Sequence, residues 1–296
     1  MEIDTRFPIK LDSVSDAPEP LRSALTESLP SGESVRFLVH APTFTAEEEK
    51  SPATVLAITN NGWFVASETG SGSATVAKSS FSDTLFLELK SVLLSGRLRI
   101  FFASQGNSSP VTIKFETVED ELYRDAIDLI LASIDPALTG LTDTDRNKAS
   151  IFEGWPMKVR NEAQRYSPRG QRFLAAIHWP AILGGGREQF APAGALLISE
   201  RELVIIAEEK AFSSESAPED ASAEAPKEIF GGIITFVPRV RLKDFQISHK
   251  ESVGVLTLDI RAEHGGQKVE VNFPSEHEKA LSTAMEQMLL SKRSAK

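Results

Sequence analysis

An internal repeat, written in the spacing of this sequence, limits what the chain can fold into more than any other feature. Pro30-Ser31-Gly32 returns as Pro168-Arg169-Gly170, and Val39-His40-Ala41-Pro42 returns as Ile177-His178-Trp179-Pro180, both at an offset of 138 residues. Leu56-Ala57-Ile58-Thr59 meets Leu196-Leu197-Ile198-Ser199 at 140. Further on the offset settles at 158, where Gly96-Arg97-Leu98-Arg99-Ile100 meets Gly254-Val255-Leu256-Thr257-Leu258 and Val111-Thr112-Ile113-Lys114-Phe115 meets Val269-Glu270-Val271-Asn272-Phe273. The same 158 carries Thr117 onto Ser275, Ile127 onto Met285 and Leu131 onto Leu289. One unit is therefore written twice, and 296 residues hold two cores of ordinary size.

The step from 140 to 158 demands an insertion in the second copy, and residues 208–228 stand in the gap with seven acids, two lysines and many Ser, Ala and Pro. A stretch of that composition is expected to be a mobile acidic loop.

Within the first copy, alternating or apolar runs at 35–40, 53–59, 63–67, 75–79, 85–89, 98–103 and 111–115 predict seven strands. Asn60-Asn61-Gly62, Gly70-Ser71-Gly72 and Gln105-Gly106-Asn107 supply the turns of an antiparallel meander. A helix follows at 119–134, where Leu122, Ala126, Leu129, Ile130 and Ile134 make one apolar stripe. Thr117 with Asp120, and Ser275 with Glu278, have the spacing of a capping box, so both copies start their helix alike. A sheet of this size leaves a face and an end uncovered, and a terminal amphipathic helix covers them. A short leading helix is expected at 18–29, with 157–166 as its counterpart.

Seven strands and then one C-terminal helix, with the strand pairs Ile58-Thr59-x-x-x-Trp63-Phe64 and Ile198-Ser199-x-x-x-Leu203-Val204, resemble bacterial pleckstrin-homology-like domains over roughly 29–134 and 167–290. The resemblance implies a mainly-β α+β chain of two tandem pleckstrin-homology-like domains, each a seven-stranded antiparallel bent sheet or open barrel capped by its C-terminal helix. The expected boundaries are a leader at 1–28, domain 1 at 29–135, a linker at 136–156, domain 2 at 157–291 and a tail at 292–296. Domains of this kind bind lipid headgroups, peptides or other proteins and are seldom catalytic.

The net charge of −10 argues against a nucleic-acid partner, which requires clustered Lys and Arg. The charge is uneven, with 13 basic and 22 acidic side chains in 1–150 against 19 and 20 in 151–296. The absence of cysteine excludes disulfides, thiolate nucleophiles and Cys-based metal sites. No run of about 18 apolar residues occurs, and a cytoplasmic chain is expected.

His40 and His178 recur at equivalent strand ends, but neither has a metal ligand or acid-base partner at i, i+2 or i, i+4, and both are expected to be structural. Gly184-Gly185-Gly186-Arg187 lacks the following helix that a phosphate loop needs and is read as a hairpin loop; Glu47-Glu48-Glu49-Lys50 holds the equivalent place in the first copy and would repel phosphate. Adjacent acids such as Glu119 to Glu121 do not make a general acid-base pair. No hydrolase elbow, zincin or calcium-loop motif occurs, so neither an enzyme nor a cofactor is expected.

One basic cluster stands out: Lys158, Arg160, Arg165, Arg169, Arg172 and Arg187. It is either a site for an anionic partner, including anionic lipid, or a set of counter-charges for the acidic first copy. The sequence thus points to a non-enzymatic binding or scaffolding protein that acts on a protein partner or on itself, with anionic-lipid recognition by the second domain as the alternative.

Overall fold

The computed structural model describes residues 7–46, 49–70, 72–92, 94–104, 107–136, 151–183, 189–212, 228–250 and 253–293. A strand β1 (Ile9–Lys10) and a helix α1 (Leu21–Ser28) lead into β2 (Val35–Ala41) and a hairpin, β3 (Phe44–Ala46) and β4 (Glu49–Ser51). Then come β5 (Thr54–Thr59), β6 (Gly62–Glu68), β7 (Ala74–Ser80), β8 (Thr84–Val92), β9 (Ser95–Ser104), β10 (Asn107–Glu116) and the helix α2 (Asp120–Ile134).

The same order returns with α3 (Met157–Arg165), β11 (Phe173–Trp179), the hairpin β12 (Ile182–Leu183) and β13 (Gln189–Ala191), and β14 (Gly194–Ser199). After these come β15 (Glu202–Phe212), β16 (Glu228–Pro238), β17 (Leu242–Lys250), β18 (Val253–Ala262), β19 (Gly265–Pro274) and the C-terminal helix α4 (Glu278–Arg293).

The offsets hold down to single contacts. Gly96 faces Phe115 across β9 and β10, and Gly254 faces Phe273 across β18 and β19. A Cβ at either glycine would lie 2.4 Å from the opposing ring, so each repeat keeps a glycine where a phenylalanine lies flat over the strand. Thr59 and Ser199 close the equivalent hairpin turns, each hydroxyl donating to the carbonyl three residues on and accepting that residue's N–H.

The sheets, however, do not follow the repeat. One sheet per copy was expected, but the seven strands of each copy are divided between two sheets. The first four strands of copy one join β1 in a five-stranded sheet, β1-β2-β5-β6-β7. Its last three continue into copy two as a seven-stranded sheet, β10-β9-β8-β16-β15-β14-β11, and β17-β18-β19 form a third sheet. All pairings are antiparallel and neither larger sheet closes into a barrel. The break follows from a choice of edge: β8 gives its outer hydrogen-bonding groups to β16, from Leu87↔Phe236 to Val92↔Gly231, rather than to β7.

Both faces of the seven-stranded sheet are covered. Leu87, Leu98, Ile100, Leu197, Val204 and Phe236 share one core with α2 and the inner face of the five-stranded sheet. Phe86, Phe101, Leu196, Ile198 and Leu203 share another with the three-stranded sheet and with Leu281, Met285 and Met288 of α4. A third core packs Leu21 and Leu25 of α1 on the outer face of the five-stranded sheet, at Val55, Ala57 and Phe64. Strands β5 and β14 are thus buried on both sides, which is why they read as continuous apolar runs rather than alternating ones.

Two expected boundaries change. The segment 208–228 was expected to be loop throughout, but β15 and β16 extend into it, their ladder running out to Phe212↔Glu228; residues 213–227 lie outside the described residues. In the expected linker 136–156, Phe152 is fully buried, 5.0 Å from the Trp155 ring and 5.6 Å from that of Phe173, so its end belongs to the core. Residues 137–150 also lie outside the described residues.

Candidate functional site

The seam where β8 meets β16 gathers most of the basic residues singled out in the sequence. Arg165 pairs with Asp120. Arg169 reaches Asp125 at 2.6 Å, Glu121 at 3.0 Å and Asp128 at 3.3 Å, all on α2 of the first repeat. Lys158 pairs with Glu208, and Arg172 with Glu200 at 2.8 Å. Arg160 lies on α3, half-buried, and Arg187 lies outside the described residues, as does the glycine loop before it. Arg165 and Arg169 therefore meet acids of the first repeat across the junction, whereas Lys158 and Arg172 pair with carboxylates of their own half. Exposed pairs of this kind contribute little individually, about 0.2–1 kcal/mol, so they set register more than stability.

Beneath them lies a second layer that sequence reading missed. Arg124 of α2 is buried, and its guanidinium donates to the Tyr166 carbonyl at 3.2 Å and the Ser167 carbonyl at 2.8 Å. Tyr166 caps the C-terminus of α3 and Ser167 follows it, where a cation is favoured by the helix dipole. The same guanidinium lies 5.1 Å from the Phe236 ring and 3.4 Å from Asp128. Burial pushes the Asp128 carboxyl above its ordinary range, against the pull of Arg124, Arg169 and Arg201. Nearby, Arg201 pairs with the fully buried Glu202 at 3.1 Å, and burial likewise raises the Glu202 carboxyl. The only sequence signal was their spacing: Arg124 and Asp128 lie four apart on the helix, where they can pair.

A groove of about 290 Å³ opens where α3 crosses the seam, lined by Ser91, Lys158, Asn161, Glu162, Arg165 and Tyr166 above a floor of Gly231, Gly232 and Ile234. At Gly231 a Cβ would meet Val92 at 2.4 Å, so glycine there permits the close approach of β16 to β8. Lys158 and Arg165 each already hold a carboxylate, and burial raises the Glu162 carboxyl, so the groove is not a basic pocket. The sequence matches no family model and no curated protein.

The two histidines singled out in the sequence lie on β2 and β11. His40 is buried with Nε2 unpartnered, and burial holds its imidazole below the ordinary 6.5. His178 lies edge-on to Trp155 at 4.8 Å, its imidazole lowered by burial and by the nearby His277. Among the described residues no three His, Cys, Asp or Glu side chains converge as metal ligands, and no helix is long and apolar enough to cross a membrane. A second tie across the junction joins His264 Nδ1 to Asp83 at 2.7 Å, while Arg241 donates to the Phe81 and Thr84 carbonyls at 2.6 and 2.9 Å.

The sheet edges differ more than any of these. The outer edge of β2 is covered by β1 through Ile9↔His40 and Lys10↔Val39, and the Leu11 N–H donates to the Leu38 carbonyl. Strand β11 occupies the equivalent place in the second repeat, yet it ends the seven-stranded sheet, with no described strand beyond it.

Proposed function

We propose that this chain is a non-enzymatic intracellular binding or scaffolding protein whose two tandem pleckstrin-homology-like domains act as one body on a protein partner or on a second copy. The observation that carries this reading is the seven-stranded sheet, which runs through both repeats and ends on an apolar strand edge at β11. Support for the domain assignment comes from the order within each repeat, four strands, three strands and a helix, with the helix packed over a core shared by both strand groups. A continuous sheet couples the repeats rigidly, which suits presentation of a surface, and strand addition at an exposed edge is a common mode of protein recognition.

The charge arrangement disfavours the membrane alternative, because four of the six basic residues already hold carboxylates of the same chain. The reading is tested by cross-linking the purified full chain to partners and comparing edge variants with charge variants. Ala175→Pro in β11 is expected to lose the cross-linked partner, and Arg172→Ala to retain it. Co-flotation of the purified chain with anionic vesicles at low salt, or turnover of a small molecule abolished by one point mutation, would contradict the proposal.

A further inference from the structure

The outer strands of the three sheets are guarded unequally. Strand β10 carries Pro110 and Lys114, β7 carries Lys78, β17 carries Lys243, Asp244 and Lys250, and β19 carries Lys268, Glu270 and Pro274. Charges and prolines are how natural sheets discourage edge-to-edge pairing. Strand β11, Phe-Leu-Ala-Ala-Ile-His-Trp, has no charged residue, proline or glycine. From Phe173 to His178 every residue is only partly buried, with Phe173 and Ala176 leaning on one core and Leu174, Ala175 and Ile177 on the other. A strand added beyond it would therefore bury apolar surface on both faces of the sheet.

We propose that this edge pairs with β11 of a second copy of the chain, antiparallel about a two-fold axis near Ala176, making one fourteen-stranded sheet across two molecules. This rests on the binding reading above and names its partner. Three observations favour a second copy. The strand is self-complementary about Ala176, with Phe173 meeting Trp179 and Ala175 meeting Ile177. Charge permits it: the first half carries −9 and the second −1, so a junction through the second half brings together the nearly neutral ends of two acidic molecules. Finally, the fold already extends a sheet across a boundary, since β8 and β16 join two repeats edge to edge. A closed two-fold contact of this kind is self-limiting.

Sedimentation of the full chain between about 1 and about 100 µM, the range in which a modest interface populates, is expected to show a species of twice the 32.3 kDa chain mass. Hydrogen exchange across 173–179 is expected to slow as that species grows. Ala176→Asp and Ala176→Lys, placing like charges at the axis, are each expected to be monomeric, while their equimolar mixture pairs again. That recovery also shows that both variants fold. A monomer throughout the range, a dimer whose 173–179 amides ignore concentration, or single variants that stay dimeric would each overturn the proposal. A monomer whose 173–179 amides become protected only by a different protein would overturn self-pairing and leave the binding reading standing.

Discussion

Helices α2 and α4 occupy the same place in the two repeats, yet only one lies between two packed layers. In α2, Tyr123, Ala126, Ile127, Ile130 and Leu131 are buried, and so are Asp120 and Arg124. In α4 the buried set is Leu281, Ala284, Met285 and Met288, while Leu290 is 59% exposed. The difference is the seam: the far side of α2 meets Tyr166 and Phe236 of the second repeat, through Arg124. One sequence pattern, used twice, becomes a helix packed on both repeats in the first copy and a capping helix in the second.

The largest effect that tests this contrast comes from the equivalent pair Arg124 and Ser282. Arg124→Ala leaves the Tyr166 and Ser167 carbonyls and Asp128 without their buried cation and is expected to cost about 3–5 kcal/mol in chemical unfolding. Ser282→Ala, at a partly buried position of α4 where the hydroxyl meets Glu286 of the same helix, should stay within about 0.5 kcal/mol. Equal losses at both sites would mean that the seam is not what sets α2 apart.

Gly96→Ala and Gly254→Ala probe where the repeats agree. Each added methyl meets a phenylalanine ring at 2.4 Å, so each should lower stability by about 1–3 kcal/mol, and by similar amounts. A neutral result at either glycine would show that the ring moves aside there.

His40 and His264 separate the repeats by pH. Burial keeps folded His40 neutral below 6.5, where the unfolded chain takes up a proton, so the stability tied to this group is lost as pH falls through that value. His264 has the opposite sign: Asp83 raises its imidazole, and the resulting stability is present below 6.5 and lost as pH rises through the raised value. The Tm of His40→Gln should therefore fall less than that of wild type between about pH 7.5 and about pH 5. A parallel fall in both proteins would contradict the assignment.

Arg169→Ala is a small change. Its side chain is half-exposed, so loss of its three carboxylate contacts should cost at most about 1 kcal/mol, less at high salt.

The local structure was legible in the sequence because it rests on local signals. Alternation around Leu98 and Ile113, the turn at Asn60-Asn61-Gly62 and the apolar spacing of 119–134 placed strands and helix within a few residues of where they lie. The sheets were not legible. Strand β8 pairs with β16 rather than β7, and nothing in residues 84–92 distinguishes one apolar neighbour from another 140 residues away. For the same reason the arginines of 158–172 were recognisable as a cluster while their carboxylate partners on α2 were not. Nothing in the sequence set Arg124 and Asp128 apart, because a buried ion pair and an exposed one have the same sequence.

Whether the two repeats are one cooperative body is read most directly from hydrogen exchange followed through a denaturant series. Amides of β9 in the first repeat and β14 in the second should converge on one global opening at one denaturant concentration, with Arg124→Ala moving both together. Separate openings, with β14 still protected after β9 has exchanged, would show two units that merely touch.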